Sequence, residues 1–183
     1  MNYILIMTEG TDEKALIDVL IEKDLLKFNL EELVFEQCFH KRQIDDELLS
    51  IIRQLPYDDK VIVYWVGDKL SDKFDIRKKD IPGKIVKVNK VCTLPELEML
   101  FIINEGMFDE YMKVKSSCLP SQFYKSKNKK YRKQAAFVFD YFKNMTIEEI
   151  VDLLKRYTEK RKRAHDKDQL TLCDLLKEDK FNN

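Results

Sequence analysis

Apolar residues recur along this chain in two patterns. Tyr3-Ile4-Leu5-Ile6-Met7 and Val61-Ile62-Val63-Tyr64-Trp65-Val66 are unbroken runs, as expected of strands buried on both faces. After the first run, Ala15, Leu16, Val19 and Leu20 repeat at helical spacing. They predict a helix from Asp12 to about Lys27, with the Asp12 side chain as its cap. Leu33 to Phe39 reads as a second strand. Ile44, Leu48, Ile51, Ile52 and Leu55 then form one face of a helix spanning about Ile44 to Leu55. Asp45-Asp46-Glu47 suits its N-terminus, and Pro56 marks its end. Ile85 to Val88 reads as a further short strand, after a polar loop from Lys69 to Pro82. This alternation of strand and helix predicts an α/β fold with a compact, mostly parallel sheet flanked by helices.

The second half reads as helical. Pro95 is well placed to open a helix through Leu97 and the apolar run Met99 to Ile103, and Gly106 interrupts it before Phe108, Tyr111 and Met112. Ser116 to Ser121 reads as a connector and Ala135 to Phe142 as a helix. Thr146-x-x-Glu149 resembles a capping box for a helix from Ile147 to about Tyr157. Thr171 is placed to cap a last short helix through Lys177. The expected division is an α/β domain over 1–112, then a basic connector and small helical region over 113–183, either appended or packed into the same domain.

Charge sharpens that division. The whole chain is formally neutral, with 36% charged and 44% apolar residues. Residues 1–112 carry 15 basic and 23 acidic side chains, whereas residues 113–167 carry 16 and 6. An acidic front and a basic back could hold a metal in one part and a polyanion in the other; two kinds of solvated surface is the plainer reading. The four cysteines are widely separated, which argues against structural zinc and against a disulfide framework. No run of 18 apolar residues and no cleavable leader pattern is present, so the expectation is a cytoplasmic protein that does not span a membrane.

Both apolar runs end in an acid beside a glycine: Glu9-Gly10 and Gly67-Asp68, with Asp72 four residues further on. In one parallel sheet these ends meet at the edge where open α/β sheets bind ligands. Oxygen donors of this kind suit Mg²⁺ or Mn²⁺.

These residues resemble the Toprim domain family, which includes parts of topoisomerases and primases, OLD-type nucleases and several small nucleases. The family pattern is a strand ending in Glu-Gly, then Asp and a helix, then a later strand ending in Asp-x-Asp. The first part is Ile4-Leu5-Ile6-Met7-Thr8-Glu9-Gly10-Thr11-Asp12 here, and the second is Val61-Ile62-Val63-Tyr64-Trp65-Val66-Gly67-Asp68-Lys69-Leu70. The resemblance covers about residues 1–105. Leu70 stands where the family has its second aspartate, so Asp72 is the substitute on offer. The resemblance implies a compact sheet with helices on both faces. It also implies metal-dependent phosphodiester cleavage of DNA or RNA, in a setting of DNA processing or phage defence. Glu9, Asp68 and Asp72 would hold Mg²⁺ or Mn²⁺, with Glu96 as a further ligand, since acids beyond the trio help hold a second metal in OLD-like members. Glu9 would help activate water, and Lys69 or Lys73 would offset phosphate charge. Glu98 lies two residues from Glu96 and would leave its face in a regular helix.

Two basic runs are candidate nucleic-acid contacts: Lys125, Lys127, Lys129, Lys130, Arg132 and Lys133, then Lys160, Arg161, Lys162 and Arg163. Tyr124 and Tyr131 would either stack on bases or pack in the core. Lys14 reads equally well as a phosphate contact or a surface ion pair, and Trp65 reads as packing. His40 is a weak acid–base candidate. The alternatives to a nuclease are a noncatalytic nucleic-acid or protein interaction module with a degenerate site, and a regulatory subunit whose acidic pocket receives a basic protein partner.

Overall fold

The computed structural model describes residues 2–68, 81–94, 96–132, 134–161 and 170–177, with backbone alone for Arg161. Four strands, β1 (Asn2–Thr8), β2 (Leu33–His40), β3 (Lys60–Gly67) and β4 (Ile85–Cys92), form one all-parallel sheet in the order β2-β1-β3-β4. The strand order reverses about β1. The β1–β3 pairing runs without a slip from Asn2 opposite Lys60 to Thr8 opposite Val66, and β3 carries the register on to Cys92 opposite Gly67. The carboxyl ends of β1, β3 and β4 are therefore level. The outer pairing is irregular: β2 inserts extra residues between the partners of Ile4 and Ile6, and Phe35 and Glu36 there take φ of 53° and 54°.

Side chains alternate across this sheet and build a core on each face. Leu5, Met7, Val63 and Trp65 pack against Leu48, Leu49 and Ile52 of α2 (Asp46–Gln54). The Asp45 side chain caps that helix, accepting from the Leu48 N–H at 3.0 Å. Ile4, Ile6, Tyr64, Val66 and Val91 face the other way, toward α1 (Thr11–Glu22). The same larger core contains residues of α3 (Met99–Asn104), α4 (Phe108–Val114), α5 (Pro120–Lys127), α6 (Ala135–Lys143) and α7 (Ile147–Arg161). The helices after residue 113 thus share one apolar core with α1 and the sheet.

Residues 170–177 close this core. Leu170 bridges Val91 in parallel, with Cys92 N–H donating to the Leu170 carbonyl at 2.9 Å. Leu172, Leu175 and Leu176 are buried, and Leu176 bridges Leu26 in the opposite sense. The cap at Thr171 forms over a short 3-10 turn, Leu172–Leu175, where Asp174 accepts from the Thr171 N–H and hydroxyl.

Several boundaries differ from the sequence expectation. α1 stops at Glu22, and Asp24 takes φ of 51°, so the chain turns before Lys27. α3 begins at Met99, not at Pro95, which lies outside the described residues. Gly106 does break the apolar helix, with φ of 72°, a conformation that side chains resist. Part of the expected connector, Pro120 and Ser121, opens α5. The capping box forms as read: Thr146 N–H donates to Glu149 Oε2 at 2.7 Å, and Glu149 N–H to Thr146 Oγ1 at 3.2 Å. Of the loop from Lys69 to Pro82, residues 69–80 lie outside the described residues. No helix among the described residues is long and apolar enough to cross a membrane.

If residues 170–177 belong to the core, Leu172→Ala should cost about 2–5 kcal/mol, as large-to-small changes in a packed interior do. Urea unfolding measures this; a change near zero would show that the segment does not hold the fold together.

Candidate active site

The level strand ends leave a cleft of about 460 Å³ at the carboxyl edge of the sheet, where the strand order reverses. Six carboxylates line it: Glu9, Asp12, Glu13, Asp68, Glu96 and Glu98. Arg42 is the one cation among its described lining residues. Glu9 follows β1 directly, and its N–H donates to the Val66 carbonyl at 2.9 Å, continuing the β1–β3 ladder by one residue. Thr93, just past β4, donates likewise to the Gly67 carbonyl. Glu9 and Asp68, with 58 residues between them in sequence, thus line one cleft.

The two glycines of the motifs make room for carboxylates. A Cβ on Gly67 would lie 2.9 Å from Glu9 Oε2 and 3.2 Å from Glu9 Cβ. A Cβ on Gly10 would lie 2.2 Å from Glu13 Oε2. Gly10 itself is in ordinary extended backbone, φ −113° and ψ 160°, so no special turn conformation is involved. The two sites differ in consequence. Glu13 Oε2 is the tip of a flexible side chain and can move, whereas the Glu9 Cβ sits on a backbone tied to β3 by the Glu9 N–H.

Glu9 is held on several sides. Its side chain is 8% exposed, and Arg42 Nη2 lies 3.7 Å from Oε1, with the guanidinium itself 70% exposed. His40 Nε2, at the end of β2, meets the Glu9 carbonyl at 3.1 Å, so His40 braces the backbone of the site. Arg42 was not singled out in the sequence, where only its position after a strand hinted at it.

Asp12 is not the cap of α1. Gly10 occupies that position, and Asp12 is buried in the first helical turn. Its charge favours a helix N-terminus. Glu13 is one residue further on, 3.4 Å from the Thr93 hydroxyl. Burial pushes the Glu13 carboxyl above its ordinary range, and the charges of Asp68, Asp12 and Glu98 add to the rise, while its own backbone N–H opposes it.

The third arm of the cleft differs from expectation. Because α3 starts at Met99, residues 96–98 are not regular helix, and both Glu96 and Glu98 line the cleft. Glu96 was the preferred ligand, yet its Oε2 accepts the Ser121 N–H at 2.9 Å. Glu98 is the deeper group, 3% exposed, and Oε1 accepts the Tyr131 hydroxyl at 2.7 Å. Tyr131 is 2% exposed, and Tyr124 is fully buried against Phe101. These rings are core, which removes the base-stacking reading. Burial and the Glu98 bond both push the Tyr131 phenol up, so it stays a hydrogen-bond donor. Trp65 packs in the core with Lys90 Nζ over its ring at 4.6 Å, and Lys14 pairs with Asp18 at 2.6 Å.

The basic runs divide. Lys127 pairs with Glu110, and Lys160 Nζ sits 3.8 Å over the Phe108 ring. Lys129 and Lys130 are exposed. Lys125 and Arg132 line a second cleft of about 220 Å³. Lys69, Asp72, Lys73, Lys133, Lys162, Arg163 and the side chain of Arg161 lie outside the described residues.

Among the described residues, no group of three or more His, Cys, Asp or Glu side chains is already arranged to hold a metal ion. The donor chemistry nonetheless fits one: all-oxygen ligands from three strand ends suit Mg²⁺ or Mn²⁺, and the neighbouring carboxylates that add to the burial-driven rise of Glu13 are charges a divalent cation offsets. No family model matches this chain, and neither the curated proteins nor the solved structures compared with it contain a match.

The raised Glu13 carboxyl gives a signed prediction. Its contribution to stability is present at pH below the unfolded carboxylate value and is lost as pH rises through the higher folded value. Glu13→Gln should therefore unfold at a higher temperature than wild type at neutral pH, with the gap closing toward pH 4. Thermal melts across pH in a chelator test this; a variant less stable than wild type at pH 7 would contradict the assignment.

Proposed function

We propose that this protein is a small Toprim-like nuclease that cleaves phosphodiester bonds in DNA or RNA with Mg²⁺ or Mn²⁺. The observation that carries the reading is the convergence of six carboxylates on one cleft at the carboxyl edge of a parallel sheet, opposed by a single described cation. Such a set without a counter-ion is costly, which favours a site built to take one. Glu9 and Asp68 would hold the metal, with Glu96 or Glu98 completing the set and Asp72 as the ligand expected from outside the described residues. A divalent cation bound there supplies charge to offset the phosphate and acidity to a water molecule.

The chain's own groups have separate tasks. Arg42 is largely exposed at the cleft and offers its guanidinium to a non-bridging phosphate oxygen. Glu9 accepts a proton from the attacking water. Water oxygen bonds to phosphorus as the phosphorus–alkoxide bond breaks, and Glu13, whose raised affinity favours the protonated form, is suited to return a proton to the leaving oxygen. Lys69 or Lys73 would add charge from outside the described residues.

A noncatalytic nucleic-acid module is the second reading, favoured by Leu70 in the place of the family's second aspartate. Incubating the full chain with DNA and RNA in Mg²⁺ or Mn²⁺ separates the two. Cleavage is expected, and Glu9→Gln and Asp68→Asn should each reduce it ~10²-fold or more, the usual scale for losing one preorganised charge. Gly67→Ala removes no ligand but displaces Glu9, so activity should fall with it while the fold persists. Binding without cleavage by the wild type would favour the module.

A further inference from the structure

The ten basic residues singled out in the sequence are not equivalent. Lys127 and Lys160 are engaged locally, by Glu110 and by the Phe108 ring. Lys125 and Arg132 differ: both line the cleft of about 220 Å³ between α5 and the segment after it, together with Ser121, Gln122 and Tyr131. No carboxylate lines this cleft among the described residues, and neither cation forms an ion pair with a described residue. Arg132 is preset there, because Nη1 donates to the carbonyls of Lys129 at 2.8 Å and Tyr131 at 3.0 Å. Its remaining N–H groups keep their donors for a ligand.

This basic cleft shares a wall with the acidic one. Ser121 lines the basic side while its N–H holds Glu96, and Tyr131 lines the basic side while its hydroxyl holds Glu98. One hydrogen-bonded layer therefore separates a site suited to a metal-borne phosphate from a site suited to a bare one. A mononucleotide or a lone phosphodiester has no need of the second site. A strand does, since its phosphates repeat and its chain can pass from one cleft to the next.

We propose that the Lys125–Arg132 cleft is a phosphate subsite that grips the backbone of a polynucleotide strand next to the acidic cleft. This rests on the nuclease reading for the identity of the neighbouring site. It makes the substrate class an oligo- or polynucleotide strand, read through its backbone and not its bases. Tyr131, buried between the clefts, serves as the shared wall and positions Glu98.

The test uses the full chain, wild type, and the Lys125→Ala/Arg132→Gln double variant. A control, Arg53→Gln/Lys60→Gln, removes the same charge near the opposite edge of the sheet. Binding of labelled single-stranded DNA and RNA is measured in chelator over a salt series. Cleavage with Mg²⁺ is measured on the same oligonucleotides and on bis(p-nitrophenyl) phosphate, which carries one phosphate. The double variant should bind the strands about tenfold more weakly, the scale of one charged hydrogen bond. Its salt slope should fall by about 0.7, one single-strand phosphate. KM for the oligonucleotide should rise while hydrolysis of the small diester is unchanged. Unchanged strand binding, an equal loss in the control, or an equal loss on the small diester would each overturn the subsite. If the wild type cleaves neither substrate, the nuclease reading fails, and the binding and salt arms alone decide the subsite.

Discussion

The space beside the Gly67 Cα is filled by the Glu9 carboxylate, and the acidic edge of this protein depends on that exchange. The slip-free register between β1 and β3 brings residue 9 against residue 67. Any side chain there would place a carbon 3.2 Å from the Glu9 Cβ, tighter than such carbons ordinarily pack, so Glu9 would have to shift. With glycine, Glu9 turns inward and is nearly buried, and five further carboxylates line the same cleft. The folded chain tolerates this crowding through specific partners: Arg42 beside Glu9, Tyr131 on Glu98, the Ser121 amide on Glu96, and a rise in the proton affinity of Glu13.

Some of this was legible in the sequence. Two unbroken apolar runs, each ending in an acid beside a glycine, located the central strands and the pair Glu9 and Asp68, because buried parallel strands leave a strong local signal. The strand end at Thr93 and the depth of Glu98 were less visible. Pro95 suggested an early helix, and in a helix Glu96 and Glu98 would face apart; with α3 starting at Met99, that constraint disappears. The Tyr131–Glu98 bond spans 33 residues and leaves no local pattern. Tyr124 and Tyr131 sit among lysines, so their neighbours advertised a surface, whereas the rings pack around Phe101. Arg42 lies in neither motif and reaches the cleft only because β2 flanks β1.

The charge division along the chain also changes meaning in three dimensions. An acidic front and a basic back suggested two separate regions. Instead, acidic and basic clefts abut, and residues of α5 and the segment after it supply donors to the carboxylates of the third strand end. The C-terminal helices complete the site as well as the core.

The closing segment has a consequence for the order in which this protein can be made. The acidic residues that line the cleft all precede α3 to α7, which share with α1 the core on one face of the sheet. Lys27 meets Asp174 across 147 residues, and Leu26 pairs with Leu176. Contacts so distant in sequence close slowly, because the loop entropy precedes any gain. A growing chain therefore exposes the apolar face of β1, β3 and α1 until the later helices that share its core have been made. The nascent protein displays its acidic motifs well before it has the α5 amide and the Tyr131 hydroxyl that hold Glu96 and Glu98 in place.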